Sequence, residues 1–341
     1  MSTAVHDRLS RPLRSLRLSV TDRCNLRCSY CMPEEDYVWL PREGLLDFDE
    51  LARLTRIMVG VGVTRARLTG GEPLLRRDLP TLVAELAHRT GLDELALTTN
   101  GILLAELAMP LAHAGLTRIT VSLDTLEPAR FRAITRKDEL PRVLEGLRAA
   151  VDAGLAPKID TVVVRGVNDD ELVRLLDHAR GLGAMLRFIE YMDVGGATHW
   201  RGDAVVSRAE ILARVTAERG PAMPIQDRGS APAESFMLPD GQRFGVIASV
   251  TAPFCSACDR ARVTADGQWF PCLYGRRGLD LKGPLRNGAS DESIAELVRG
   301  AWEARDDRGA EARAALSNRE PLVPAHTLKR DPHLEMHTRG G

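Results

Sequence analysis

Short segments rich in Leu, Ile, Val and Thr recur along the chain at 15–20, 65–69, 95–99, 118–123, 159–164 and 185–189, and each reads as a strand. Several look apolar nearly throughout, as strands buried on both faces do. Between them, apolar positions return with a helical period over 49–60, 79–88, 105–113, 140–153, 169–180 and 208–218. Asp49 is expected to cap the first helix, and Gly115, Gly154 and Gly181 fit helix C-terminal stops. Strand and helix in alternation imply a parallel sheet with right-handed crossovers. Six such units cannot close an eight-stranded barrel. The expected fold is therefore α/β, a partial, open TIM-type (β/α)6 barrel, with a flat doubly wound sheet as the runner-up.

The placement of unusual residues favours the barrel. A cysteine run follows the first strand, Gly-Gly-Glu-Pro the second and Thr-Asn-Gly the third, while Ser-Leu-Asp closes the fourth. These are C-terminal strand ends, where α/β barrels build their sites. Near Gly220 the pattern changes to a Pro-, Gly- and Ser-rich stretch that reads as a linker or long loop. Two domains are expected, 1–220 and 221–341, the second an α+β extension. In it, 243–250 and 261–265 read as strands of a hairpin-like unit, 293–315 as helix, and the chain from Asn318 as irregular.

The net charge of −1 gives no field that would draw the chain to nucleic acid or to a membrane surface. The N-terminus has no long apolar core, and no run approaches the roughly 20 apolar residues of a membrane helix. A cytoplasmic location is expected. Charge is nonetheless uneven, with six arginines and a single acid, Asp22, between Arg8 and Arg27. The six cysteines fall as two groups of three, and a triplet cannot pair internally. Metal ligation in a reducing compartment fits this better than disulfides.

Cys24, Cys28 and Cys31 form C-x3-C-x2-C. Three thiolates can hold three corners of a [4Fe–4S] cluster and leave one iron open for chemistry. Cys255, Cys258 and Cys272 form C-x2-C-x13-C, which suits a second cluster with another open iron; structural zinc is the alternative, with a distant histidine as fourth ligand. Arg260 and Arg262 alternate on an extended segment and so share a face, where two guanidiniums can grip phosphate oxygens. Arg14 and Arg17, both read as part of strand one, are costly there unless an anion compensates.

C-x3-C-x2-C with an aromatic at Tyr30, followed by Gly71 and Glu72 in Leu-Thr-Gly-Gly-Glu-Pro, resembles the radical S-adenosylmethionine (SAM) superfamily. Within it, the chain resembles the GTP 3′,8-cyclases of molybdenum cofactor biosynthesis over nearly its whole length. Matching pieces include 64–78 (TRARLTGGEPLLRRD), 158–169 (KIDTVVVRGVND), 187–192 (RFIEYM), 254–264 (FCSACDRARVT) and the terminal Gly340-Gly341.

The resemblance implies two [4Fe–4S] clusters, the first on Cys24, Cys28 and Cys31 and the second on Cys255, Cys258 and Cys272. It implies a SAM pocket lined by Tyr30, Gly71, Ser122 and Met192, with the Gly-Gly-Glu-Pro backbone and carboxylate receiving the methionine amino group. It implies GTP contacts from Arg17, Arg67, Thr98, Lys158, Arg260, Ala261 and Arg262, with Arg187 beside them. Lys158 opens its expected strand, so this strand map does not place it at the barrel mouth. The tail Gly340-Gly341 would reach the site and assist, although Glu335-Met-His-Thr-Arg339 before it is more polar than the family pattern.

The implied reaction starts with a 5′-deoxyadenosyl radical that takes the C3′ hydrogen of GTP, after which C3′ joins C8 of guanine to give 3′,8-cyclo-7,8-dihydro-GTP. The implied partners are GTP, an electron donor, a second copy of the chain in a homodimer and, downstream, cyclic pyranopterin monophosphate synthase. A radical SAM peptide-modifying enzyme and a non-enzymatic Fe–S electron carrier are the alternative readings.

Overall fold

The computed structural model describes residues 4–225 and 229–340; Gly341 of the expected tail lies outside them. β1 (Ser15–Ser19), β2 (Arg65–Thr69), β3 (Glu94–Thr99), β4 (Arg118–Ser122), β5 (Ala156–Val163) and β6 (Met185–Glu190) pair in chain order, each parallel to the next. The later strands are β7 (Met223–Ile225), β8 (Glu234–Met237), β9 (Arg243–Ile247), β10 (Arg260–Val263), β11 (Gln268–Phe270) and β12 (Leu279–Asp280). They extend the same sheet on both sides. β9 joins β6 and β10 joins β1, both in parallel. The expected hairpin-like unit therefore does not form, because its two strands sit on opposite flanks of the six-stranded centre. β8 and β7 continue antiparallel beyond β9, and β11 and β12 antiparallel beyond β10. The stretch after Gly220 thus supplies an edge strand, where Pro224 removes no ladder hydrogen bond that is needed.

The parallel strands are not apolar throughout. Their outer faces carry residues such as Leu16, Leu18, Leu68, Leu97, Val121 and Phe188, all packed in the main core. The alternate residues, among them Arg17, Arg67, Thr98, Lys158, Asp160 and Arg187, line a cavity. A closed barrel fills its interior with branched apolar side chains. Charged side chains cannot pack that way, and here the wall stays open around a cavity.

Helix ends follow local chemistry. The first long helix runs Phe48–Gly60, capped by Asp47 in place of Asp49. The Asp47 carboxylate accepts from Glu50 N at 2.8 Å and Glu50 Oε2 accepts from Asp47 N at 2.9 Å, a reciprocal pair that needs an acid three residues past the cap. Gly115 and Gly154 take positive φ as expected, but after the helix Leu172–Gly181 the left-handed residue is Gly183. A further helix, Pro128–Thr135, lies outside the sequence expectations. The expected helix 293–315 divides into Asp291–Glu303 and Gly309–Ala314. No helix among the described residues is long and apolar enough to cross a membrane.

Candidate functional site

The inner face of the sheet and the loops at its C-terminal edge enclose a cavity of about 530 Å³, within the usual range of ligand sites. Both cysteine triplets reach it.

The first triplet lies in the loop after β1, and Gly70-Gly71 rests on that loop's backbone. A Cβ on Gly70 would stand 2.3 Å from the Thr21 carbonyl oxygen, and one on Gly71 2.4 Å from that of Arg23, so only glycine permits the approach. Glu72 turns away from the cavity. Its Oε1 accepts from Thr99 Oγ1 at 2.7 Å and Leu74 N at 2.9 Å, and its Oε2 accepts from Asn100 N at 2.7 Å. Burial raises its pKa to about 7. Glu72 thus pins the Thr-Asn-Gly loop, while Gly70 and Gly71 line the cavity.

Burial pushes the Cys24 thiol up to about 11 and those of Cys28 and Cys31 well above the usual range, with Cys24 adding to both. Desolvated, crowded thiols ionise against a strongly positive centre. Three thiols from one loop, all lining the cavity, form a donor set that suits an Fe–S cluster. Beside them the Tyr30 hydroxyl donates to Asp124 Oδ2 at 2.7 Å, and Asp124 Oδ1 accepts from Val162 N at 2.8 Å. Asp124 thus fixes the ring that the sequence singled out. Ser122 and Met192 line the same wall.

The second triplet is braced from behind. Arg11 donates to the carbonyl oxygens of Cys255 at 2.9 Å and Asp307 at 2.8 Å, and its Nε pairs with Asp7 at 2.6 Å. Arg305, in the break between the two C-terminal helices, donates to the Cys258 carbonyl at 3.1 Å. Burial resists ionisation of Cys258, but Arg260 and Arg305 outweigh it and lower its pKa. Arg260 Nη2 lies 3.7 Å from Cys258 Sγ. By contrast burial pushes Cys272 up to about 12. No sequence pattern joins Asp7 and Arg11 to a cysteine loop, since the contact spans 244 positions.

Between the triplets, Arg262, Arg17 and Arg67 stand at one register on three adjacent strands. Strands lie about 4.8 Å apart, and like charges directly opposite repel. Burial, followed by Arg262 and Arg67, holds the Arg17 pKa well below the guanidinium range; burial takes Arg262 and Arg67 to about 10. Arg67 Nη1 donates to Thr98 Oγ1 at 3.1 Å and Thr120 Oγ1 at 3.0 Å. Arg187 forks onto Asp160 at 2.6 and 2.9 Å. Lys158 is half-buried, and desolvation followed by Arg187, Arg118 and Arg67 lowers its pKa to about 8. It sits inside β5, which begins at Ala156, and pairs with Thr120 and Met185. Its side chain enters from the middle of the wall, because the cavity runs down inside the sheet. Arg14 precedes β1 and is exposed, so the strand holds only Arg17. The Ala261 methyl faces the core, which leaves its backbone for any ligand contact.

The family profile described as Radical SAM superfamily matches residues 18–179, and the one described as Molybdenum Cofactor Synthesis C matches 184–311. GTP 3′,8-cyclase 1 of Mycobacterium tuberculosis (strain H37Rv) is 51% identical over 342 residues, covering 99% of this chain and 95% of that protein. GTP 3′,8-cyclase of Xanthomonas axonopodis pv. citri (strain 306) is 47% identical over 326 residues, covering 94% and 97%. The crystal structure of Streptococcus suis SuiB bound to S-adenosylmethionine has a TM-score of 0.62 at 15% identity, covering 90% of this chain and 68% of that one, a likeness of fold. The chain belongs to the GTP 3′,8-cyclase family of the radical SAM superfamily.

Proposed function

We propose that this chain is a radical SAM GTP 3′,8-cyclase, forming (8S)-3′,8-cyclo-7,8-dihydroguanosine 5′-triphosphate from GTP as the first step of molybdenum cofactor biosynthesis. The observation that carries this reading is the row Arg262, Arg17 and Arg67 on one register, between two cysteine triplets and open to one cavity. Guanidiniums brought together against their own repulsion call for a polyanion, and a nucleoside triphosphate is one whose other end can reach a cysteine loop.

In this reading Cys24, Cys28 and Cys31 hold a [4Fe–4S] cluster, and Tyr30, Gly71, Ser122 and Met192 surround SAM on it. Cys255, Cys258 and Cys272 would hold a second cluster, at the end of the cavity that would take the guanine base. Bound there, a cluster and SAM would supply one-electron, hydrogen-abstraction chemistry. The protein's own part is position. Arg17, Arg67, Lys158, Arg187, Arg260 and Arg262 anchor the phosphates, so the ribose is held at one place and distance. The walls keep water from a reactive centre, and the Asp124 link keeps the Tyr30 ring from swinging across the path. An external one-electron donor, a homodimeric state and hand-over to cyclic pyranopterin monophosphate synthase complete the reading.

Anaerobic reconstitution followed by incubation with GTP, SAM and a strong reductant tests it. Cyclised GTP and 5′-deoxyadenosine in step are expected. SAM cleavage with no loss of GTP would remove the substrate assignment.

A further inference from the structure

β6 runs into Glu190-Tyr191-Met192-Asp193. Met192 lines the cavity, and a fully buried carboxylate stands on either side of it in the chain. Glu190 reaches the loop that leads from β9 to Cys255. Its Oε2 accepts from Val250 N at 2.7 Å and Thr251 N at 2.8 Å, and its Oε1 accepts from Arg208 N at 2.7 Å and from the Thr251 hydroxyl. Ser249 and Phe254, on either side of that contact, line the cavity.

Asp193 reaches the far side of the same triplet. Its Oδ1 accepts from the Tyr274 hydroxyl at 3.3 Å and Arg319 Nη2 at 2.6 Å, and its Oδ2 from Arg313 Nε at 2.7 Å and Arg319 Nε at 2.8 Å. Tyr274 follows Cys272 by two positions. Arg313 belongs to the helix Gly309–Ala314, which starts against that loop: a Cβ on Gly309 would stand 3.1 Å from Cys272 Sγ and 2.6 Å from Tyr274 Cβ. Arg319 also lies 5.3 Å from the Trp200 ring, and Trp200 Nε1 donates to the Tyr191 carbonyl at 2.9 Å. Residues 248–259 and 271–278 belong to no strand, so side-chain hydrogen bonds set their place where a ladder would otherwise do so. Arg11 and Arg305 brace the triplet from behind; the two carboxylates tie it to Met192.

We propose that Glu190 and Asp193 are positioning residues, which tie both loops of the second cysteine triplet to the Met192 wall and so fix the span between the radical source and the substrate's base. The inference rests on the GTP reading of the cavity. SAM cleavage needs the first triplet alone, whereas cyclisation needs both ends of the cavity in register. A displacement of about 1 Å can cost roughly 10²-fold in rate, so loosening either tie should separate the two events.

The test compares Glu190→Gln, Asp193→Asn, Thr251→Val and Arg319→Lys with the parent, each full-length and cluster-loaded. The readouts are cyclised GTP per 5′-deoxyadenosine, SAM affinity and iron per chain. A fourth, on the same full chains before loading, is the rate at which iodoacetamide labels each cysteine, followed by mass spectrometry. In Glu190→Gln and Asp193→Asn the amide nitrogen faces a donor whichever way the group lies, so each loosens its loop. Cyclised GTP per 5′-deoxyadenosine is expected to fall roughly tenfold or more in both, with SAM affinity and iron at the parent level. Cys255 labels faster in the first and Cys272 in the second, with Cys24 unchanged. Thr251→Val and Arg319→Lys, which remove fewer bonds, give intermediate yields, and they decide if a carboxylate variant loses iron or does not fold. Parent yield from a variant whose loop labels faster overturns the proposal, as do parent labelling rates throughout. SAM affinity lost in step with the yield also overturns it, because the role is then structural for the whole cavity. A parent that cleaves SAM and cyclises no GTP defeats the GTP reading instead, and the labelling still reports whether the carboxylates hold the loops.

Discussion

Lys158 is the residue whose charge is most open to test. Its pKa, lowered to about 8 by burial and then by Arg187, Arg118 and Arg67, with Asp160 opposing, leaves it charged below pH 8 and neutral above. Binding a triphosphate favours the charged form, so GTP binding takes up a proton above pH 8 and weakens there, by up to about tenfold per pH unit from this group. No such slope arises below pH 8. Affinity measured between pH 7 and 9.5 should bend near 8 in the parent and stay flat in Lys158→Arg; the same bend in both would assign it to another group. Asp124 offers a second test. Asp124→Ala removes both acceptors, so the Tyr30 hydroxyl and the Val162 N–H lose their partner, at a cost of about 1–3 kcal/mol each. A several-fold weaker SAM affinity with iron unchanged is expected. Equal SAM affinity would mean the Tyr30 ring is held by packing alone. The cysteines, Tyr30 and the glycines were readable because their chemistry lies within a few positions. Asp124 was seen only as the end of a strand, since the partner that gives it a role is 94 positions away.

At the level of elements, the strands carried more information than their apolar content. Ser-Leu-Arg-Leu-Ser, Arg-Ala-Arg-Leu-Thr and Lys-Ile-Asp-Thr-Val each alternate. Period-two alternation with charges means one greasy and one wet face, and the wet face became the cavity wall. Reading them as buried on both faces hid the position of Lys158. The C-terminal helix was misread for a related reason. Its break around Arg305 leaves helical propensity behind, because a buried arginine there holds the Cys258 carbonyl and pairs with Asp7. Arg305→Ala should therefore unseat the second cysteine loop while sparing the first. Iron is expected to fall from about eight to about four per chain, with SAM still bound. Loss of all iron would mark Arg305 as a general stabiliser, and full retention would show that Arg11 alone suffices.

Over the whole molecule, one sheet joins the two regions, 1–220 and 221–341, that the sequence reading divides. β9 and β10, both from beyond residue 220, cover the edges of β6 and β1. A fragment ending at 220 would expose both edges, and exposed parallel edges template aggregation. Fragment 1–220 should be insoluble or lack a cooperative thermal transition, whereas the full chain melts cooperatively; a cooperatively melting, monomeric fragment would show that the first region folds alone. Local chemistry alone determined the two cysteine triplets, the glycine turn, the run of β–α units and the family resemblance, because each depends on residues near one another in the chain. The inward turn of Glu72, the brace of Asp7 and Arg11, the arginine row across β10, β1 and β2 and the burial of a polar tail, whose Gly340 carbonyl accepts from Arg17 and Arg262, were decided by folding. They depend on which strands become neighbours, and that follows from burying the outer apolar faces under helices, a balance summed over the whole chain.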